Sequence, residues 1–402
     1  MDFEIIILGS DANAYYMARC AHEEYGKKVK VISAYPMSFT NHSKIIDLTC
    51  NPKLWDSDSF ADTLNTFVKD IKAEKIVCIS SNETYARNLC INKKNLDKRI
   101  TFNYVDLNFL NTLMMKDLFF KTYSNSGLLP KTIIYNLNDE LKIDFDFPVI
   151  IKPSNVIMFN HLDFAGKKKI YKLNNMEEVN KTINYFKESN YTDTLIIQEY
   201  IPGDDSALHD SVVYCNTKGK CEFISFAQIG LQEHTSKMIG NAACLINGFT
   251  TNGYDENVVL KFKDFMESIN FKGLAELDIK YDCRDNKYKI LEINARQGRC
   301  SYYVNEAGCN LVKYVVDDLV YGKQHNFKII KDKIGLSYVP KRIIKKYVVN
   351  PEFKKEILKL YKQKKVVNPL YYKKDLPLKR MLFLIRKHLR YYKDYKNGYW
   401  KY

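Results

Sequence analysis

The sequence predicts a mixed α/β protein with a basic helical C-terminal extension, and three observations carry that expectation. Short apolar runs alternate with helical patterns through the first hundred residues, as in a sheet wound with helices. Residues 273–281 and 287–294 alternate apolar and polar side chains and flank the turn-rich stretch 282–286, the pattern of a β-hairpin. After residue 322 the composition changes sharply. Residues 323–402 hold 24 Lys+Arg against 5 Asp+Glu, a net of +19, whereas the whole chain is +15 and residues 1–322 therefore carry −4.

Taken in order, the run Phe-Glu-Ile-Ile-Ile-Leu at 3–8 predicts a buried strand. Gly9-Ser10-Asp11 predicts a tight turn, and a helix should then run through Tyr25 and stop at Gly26. Residues 28–32 and 75–80 are the next strands, so the region reads as a small parallel sheet. The Gly9 turn sets backbone N–H groups and the Ser10 hydroxyl at a strand end, where open α/β sheets bind ligands. It lacks a G-x-G-x-x-G fingerprint, so no dinucleotide site is expected; a plain βα turn is the bland alternative.

Ten cysteines are scattered without a C-x-x-C pair, which suggests reduced thiols and not a disulfide framework or a zinc site. The N-terminus lacks a basic region before a long apolar run, and no stretch reaches the ~20 apolar residues that span a bilayer. A cytoplasmic enzyme is expected. The chain length suits two or three domains.

The chemistry concentrates around the hairpin. Asp278 and Glu292 fall on its two strands, with Asn294 on the same face as Glu292. Two carboxylates and an amide oxygen suit Mg²⁺ that keeps open positions for phosphate, although a bare D…E-x-N pattern is more often a solvated face. Arg296 and Arg299 follow directly, and guanidinium groups bind phosphate or carboxylate oxygens bidentately. Upstream, Lys152 ends an apolar strand, residues 195–205 form a strand running into an acidic turn, and Lys116 opens a predicted helix. Each alone is weak; their order is specific.

That ordered set resembles the ATP-grasp superfamily and, more narrowly, the D-aspartate ligases of bacterial cell-wall synthesis. The resemblance rests on residues 7–19, 147–153, 201–206, 239–241, 278–282 and 292–299, and it runs into the basic tail. It implies an ATP-grasp fold preceded by a Rossmann-like domain: residues 1–110 before the ATP-grasp domain, 111–325 as its two lobes, and 326–402 as the helical extension.

The same resemblance places Lys116 and Lys152 on ATP phosphates. Gln198, Glu199, Tyr200 and Ile201 become the hinge beside adenine, with Asp205 on the ribose and Asp204 as its near equal. Residues 154–169 would be a loop over the phosphates, its Lys167–Lys169 cluster suiting polyphosphate or merely a solvated turn. Asp278, Glu292 and Asn294 would hold one or two Mg²⁺, with Mn²⁺ as a substitute. Arg296 would steady the transferring phosphoryl group. Ser10, Asp11 and Arg299 become candidates for the substrate carboxylate, with pairing to a structural acid as the other role for Arg299.

The implied activity is ATP-dependent carboxylate–amine ligation through an acyl phosphate. It would join the β-carboxylate of D-aspartate to a lysine amine of a UDP-linked muramyl peptide in peptidoglycan synthesis. Another amino acid or a different acceptor, such as a cell-surface polysaccharide or small peptide, is the close alternative. A non-catalytic nucleotide-binding protein with a membrane- or nucleic-acid-binding tail is the distant one. Such chemistry needs positioned charge more than a protein nucleophile, in keeping with the lack of a G-x-S-x-G elbow or a convincing Cys-His pair. His234 is the one histidine considered as a base toward the amine, although a surface histidine is the expectation.

In the tail, Leu378, Met381, Leu382, Ile385, Leu389 and Tyr392 recur at helical spacing, with Lys379, Arg386, Arg390 and Lys393 on another face. That pattern suits an anionic membrane surface, or a helix packed on the core with a basic outer side. The resemblance reaching into this tail argues against a separate nucleic-acid module.

Overall fold

The computed structural model describes residues 1–398 apart from 165, 235–237 and 239. Ile239, one of the residues that carried the resemblance, thus lies outside the described residues. The chain forms two compact units: Met1–Leu107 with Asp204–Leu277 and Asn294–Tyr402, and Asn108–Gly203 with Asp278–Ile293.

The first unit holds a five-stranded parallel sheet, ordered Ile46–Cys50, Val29–Ser33, Phe3–Leu8, Lys75–Ser80, Ile100–Thr101. Its central strands Phe3–Leu8 and Lys75–Ser80 are near-continuous apolar runs because they are covered on both faces, whereas the edge strand Ile46–Cys50 is largely exposed. The helix Ala12–Tyr25 starts where Asp11 accepts the Ala14 N–H (2.9 Å) and stops at Gly26, whose φ of 68° favours a residue without Cβ. The same unit contains strands of a larger, mainly antiparallel sheet: Leu208–Cys215, Ala227–Gln232, Ala242–Asn247 and Ile334–Ser337 follow one another across it.

The predicted hairpin is Gly273–Asp282 and Lys287–Asn294, at the edge of that sheet beside Leu208–Cys215. Its residues Asp278–Ile293 group with the second unit.

The buried residues described in the basic tail join the core of the first unit. Ile344, Phe353, Leu384 and Tyr391 belong to the same buried cluster as Ile7, Tyr15 and Val312. The tail helix runs Leu378–Gly398, longer than its apolar pattern indicated.

In the second unit, an antiparallel sheet runs in the order Thr132–Tyr135, Leu195–Glu199, Val149–Pro153, Tyr171–Leu173. Helix Met176–Glu188 places Val179, Ile183 and Phe186 in one buried cluster with Val149, Ile151 and Ile197. Helix Lys116–Thr122 begins at the residue expected to open it. The stretch expected to be a loop over phosphates contains a short helix, Val156–His161, capped by the Asn155 side chain on the Met158 N–H (3.0 Å). Ala165 in that stretch lies outside the described residues.

Candidate active site

In the second unit, a small cationic cluster forms around the ends of two strands and a helix. Strand Val149–Pro153 delivers Lys152, whose Nζ donates to Gln198 Oε1 on the neighbouring strand (3.2 Å) and lies 5.2 Å from the Phe120 ring centroid. Gln198 is held in turn by its Nε2 donating to Thr132 Oγ1 (2.8 Å). Burial pushes the Lys152 ammonium down to about 7; Lys116 pushes the same way, and Glu292 only partly opposes them. Lys116 Nζ sits 3.1 Å from Glu292 Oε2. The cluster thus has two lysines facing one half-exposed carboxylate. A desolvated ammonium with so little compensation is equipped to meet an anion.

Glu199 has a different occupation. It is buried and takes the Lys131 N–H (2.8 Å), Lys289 Nζ (3.0 Å) and Arg284 Nη2 (2.6 Å). Burial alone would raise its carboxyl; those donors outweigh it and hold the group below the usual range. Its side chain therefore ties the strand to residues 282–289, and its backbone N–H donates to the Lys131 carbonyl (3.0 Å). Beside it, the Tyr200 ring carries Lys172 Nζ at 3.9 Å and Lys280 Nζ at 5.4 Å, while Ile201 is buried.

On the hairpin, Glu276 and Asp278 share one parity of the first strand, and Glu292 and Asn294 share one of the second. Asn294 Nδ2 donates to Glu276 Oε2 (3.3 Å), so these two parities face the same side. Among the described residues no group of three or more His, Cys, Asp or Glu side chains is placed to hold a metal ion. Asp278, Glu292 and Asn294 nonetheless fit magnesium by donor chemistry. They offer two carboxylates and an amide oxygen, all partly exposed, and Mg²⁺ is usually held by one or two carboxylates plus water and phosphate.

Glu276 was not among the expected site residues. It is buried, with its carboxyl pushed well above the ordinary range by burial and by Asp210, while Arg296 opposes. Asp210 accepts from Tyr303 Oη (2.7 Å). Gly298 lies against Glu276 so closely that a Cβ there would collide with the carboxylate. The available signal was its position two residues before Asp278, hence on the same face.

Arg296 joins this network to the carboxyl ends of the parallel sheet. Its Nη2 reaches Glu83 Oε1 (2.6 Å), and its Nη1 lies 3.4 Å from Glu276 Oε2 and donates to the Gln297 carbonyl (2.9 Å). Gln297 Nε2 donates to the Ser80 carbonyl (2.7 Å), Asn13 Nδ2 to the Ser81 carbonyl (3.0 Å), and Tyr16 Oη to the Gly298 carbonyl. Gly9, at φ 119°, is pressed against Ser81 with no room for a Cβ. Asp11 stands beside them, its carboxyl raised by burial against the Ala14 N–H, the Ser81 hydroxyl and Arg296. The structure thus brings Asp11 and Arg296 into one polar patch. Ser10 is committed elsewhere, its hydroxyl donating to the Tyr35 carbonyl (2.6 Å).

Three other candidates have internal partners. Arg299 is enclosed: its Nη2 meets Glu233 Oε1 (2.6 Å) and Tyr391 Oη (3.3 Å), with the guanidinium 4.2 Å from the Tyr338 ring centroid. Burial alone would lower its pKa, but the Glu233 carboxylate raises it. Here the alternative of a structural acid describes the contact better than an open carboxylate site.

Asp205 accepts the Gln232 backbone N–H (2.9 Å) and Gln232 Nε2 (2.5 Å), while Asp204 caps the next turn through Ser206. His234 is not a surface histidine. It is buried, 4.9 Å from the Tyr395 ring centroid and 4.0 Å from Asp205 Oδ2, and burial lowers its pKa against the opposing charges of Asp205 and Glu233.

One relative resembles this chain over nearly its full length, and others over part of it. A D-aspartate ligase of Enterococcus faecium (strain Aus0004) is 31% identical over 398 residues, spanning 95% of this chain and 93% of the relative. A D-alanine–D-alanine ligase of a Wolbachia strain is 27% identical over 190 residues, 42% of this chain and 51% of the relative. Among solved structures, N5-carboxyaminoimidazole synthetase from Staphylococcus aureus superposes with a TM-score of 0.59 at 14% identity, covering 88% of this chain and 89% of that one. An L-amino acid ligase from Bacillus licheniformis does so at 0.55 and 14%, covering 79% and 74%. No family model matches the chain.

Fold and relatives together define an ATP-dependent carboxylate–amine ligase of the ATP-grasp type. Within that class the chain belongs to the D-aspartate ligase family.

Proposed function

We propose that this protein ligates the β-carboxylate of D-aspartate to the side-chain amine of lysine in a UDP-linked muramyl peptide, a step of peptidoglycan cross-bridge synthesis. The observation that carries this reading is the 31% identity spread over nearly the full length of both chains. In the reaction, the γ-phosphoryl of ATP passes to the carboxylate and ADP leaves. The lysine amine then attacks the acyl carbon, phosphate departs, and the nitrogen gives up a proton.

Lys152 and Lys116 are assigned to the ATP phosphates. A poorly compensated ammonium on strand Val149–Pro153 gains its counter-charge when the nucleotide arrives. Gln198 through Ile201 is assigned to the adenine and Asp205 to the ribose. Arg296, held between Glu83 and Glu276, is assigned to the transferring phosphoryl group, and Asp11 to the amino-acid end, with Ser10 joining it only if its hydroxyl leaves the Tyr35 carbonyl. Asp278, Glu292 and Asn294 would hold Mg²⁺, or Mn²⁺ in its place, which when bound neutralises phosphate charge. The enzyme would act in the cytoplasm, where its acceptor is built, with peripheral contact at the inner face of the membrane.

The test is ADP release screened across D- and L-amino acids, with and without a UDP-linked muramyl peptide that contains a lysine with a free side-chain amine. D-aspartate with that acceptor should give turnover above every other pair. Faster turnover with another amino acid, or with a different acceptor, overturns the substrate assignment while leaving the ligase class in place.

A further inference from the structure

Helix Leu378–Gly398 has two apolar faces, and only one is covered. The inner face is locked to the first unit. Arg380 lies 3.5 Å from the Tyr15 ring centroid, donates to the Phe39 and Leu370 carbonyls, and pairs with Asp375 (3.3 Å). Leu384 is buried in the core, Tyr391 Oη donates to Glu233 (3.1 Å), and Tyr395 Oη donates to the Gln232 carbonyl. These anchors recur at helical spacing, so the helix cannot roll without breaking all of them.

The opposite face carries Leu378, Met381, Leu382, Ile385 and Leu389, exposed by 66, 41, 45, 46 and 60%. At 100° per residue these five lie within one sector of the helix surface, a continuous stripe. Alongside it run Lys379, Arg386, Arg390 and Lys393, all exposed. Asp394 is the one acid of the helix.

We propose that this stripe is a membrane-docking surface that lies flat in an anionic bilayer interface. Aliphatic side chains flanked by a row of cations are what such an interface accepts, apolar groups toward the acyl chains and ammonium or guanidinium groups among the headgroup phosphates. No helix among the described residues is long and apolar enough to cross a membrane, so the contact is peripheral. A second copy of the chain fits less well. An isologous pairing through this face would bring the two rows of Lys and Arg together, with one Asp per helix to offset them. The inference is independent of which amino acid the enzyme ligates.

The full chain should co-sediment with vesicles of 70% phosphatidylcholine and 30% phosphatidylglycerol and not with pure phosphatidylcholine. Salt should weaken the binding because exposed charges are screened. Replacing Leu382, Ile385 and Leu389 with Gln should weaken it by about 100-fold or more, since each removes partial burial of an aliphatic chain. Replacing Arg386, Arg390 and Lys393 with Gln should also cost about 100-fold, at roughly fivefold per cation. Both triple variants should keep the parent's thermal midpoint, because every altered side chain is exposed.

Absence of binding to anionic vesicles overturns the proposal. So does binding that neither triple variant reduces. A concentration-dependent dimer that the Leu/Ile variant abolishes, without vesicle binding, also overturns it and assigns the stripe to a second copy.

Discussion

Two cationic clusters of this molecule look alike in sequence and behave differently in the fold. Lys116 and Lys152 share one half-exposed carboxylate, Glu292, and Lys152 is left with a lowered pKa. Arg299 has Glu233, Tyr391 and Tyr338 around it, and its pKa is raised. A buried cation in close contact with a carboxylate is part of the architecture, whereas one that only shares a more distant carboxylate stores the capacity to bind an anion. The comparison separates candidate ligand-binding residues from supporting ones more sharply than residue type does.

The contrast should break most visibly at the hairpin. Glu292→Gln removes both the partner of Lys116 and a proposed metal ligand, and Asn294→Asp alters the neighbouring donor. Turnover should fall by on the order of 10²–10³ in each, through lost charge neutralisation at the phosphoryl group. Glu292 is partly exposed, so the thermal midpoint of Glu292→Gln should hold, whereas Asn294→Asp also takes a donor from the buried Glu276. Parental ADP release by Glu292→Gln would remove the metal assignment.

Arg299→Met tests the other side of the comparison. It leaves the Glu233 carboxylate buried without its guanidinium, and breaking such a pair costs about 3–5 kcal/mol. Denaturant unfolding should show that loss, while kcat per folded molecule stays near the parental value. A collapse of kcat at unchanged stability would return Arg299 to the substrate carboxylate. Lys152→Met should do the reverse: turnover should fall by about 10²-fold and the KM for ATP rise, with the fold intact.

Much of this was legible in the sequence where local signals decide. The Gly26 stop, the opening of the helix at Lys116 and the hairpin strands follow from helix-stop signals and period-2 patterning, which act over a few residues. What stayed hidden depends on partners far along the chain. Glu233 meets Arg299 and Tyr391 across 66 and 158 positions, and nothing in Gln232-Glu233-His234 announces it. His234 read as a surface residue for the same reason: the tail helix that covers it lies about 160 residues away. In the tail, amphipathic spacing located the helix but not which apolar face is inward. Tyr391 and Tyr395 took that place, and the aliphatic stripe was left outside.

The finest test of the comparison follows the proton on Lys152. With its pKa near 7, the side chain of the free protein is mostly neutral at about pH 8 and mostly charged at about pH 6. A polyphosphate beside it favours the ammonium, so nucleotide binding raises the pKa and draws a proton from the buffer. The sign follows from the lowered starting value: uptake is largest between the free and bound pKa values and vanishes below the free one. Near pH 8 the nucleotide's own phosphates are already ionised and contribute little.

Calorimetric titration of ATP in two buffers of different ionisation enthalpy should therefore show uptake approaching one proton near pH 8 and none attributable to Lys152 near pH 6. Lys152→Met should abolish the difference, whereas Lys116→Met should reduce it, because removing a neighbouring cation lets Lys152 hold its proton before ATP arrives. Equal apparent enthalpies in the two buffers near pH 8 would mean that Lys152 does not meet the phosphates, and the contrast with Arg299 would then rest on burial alone.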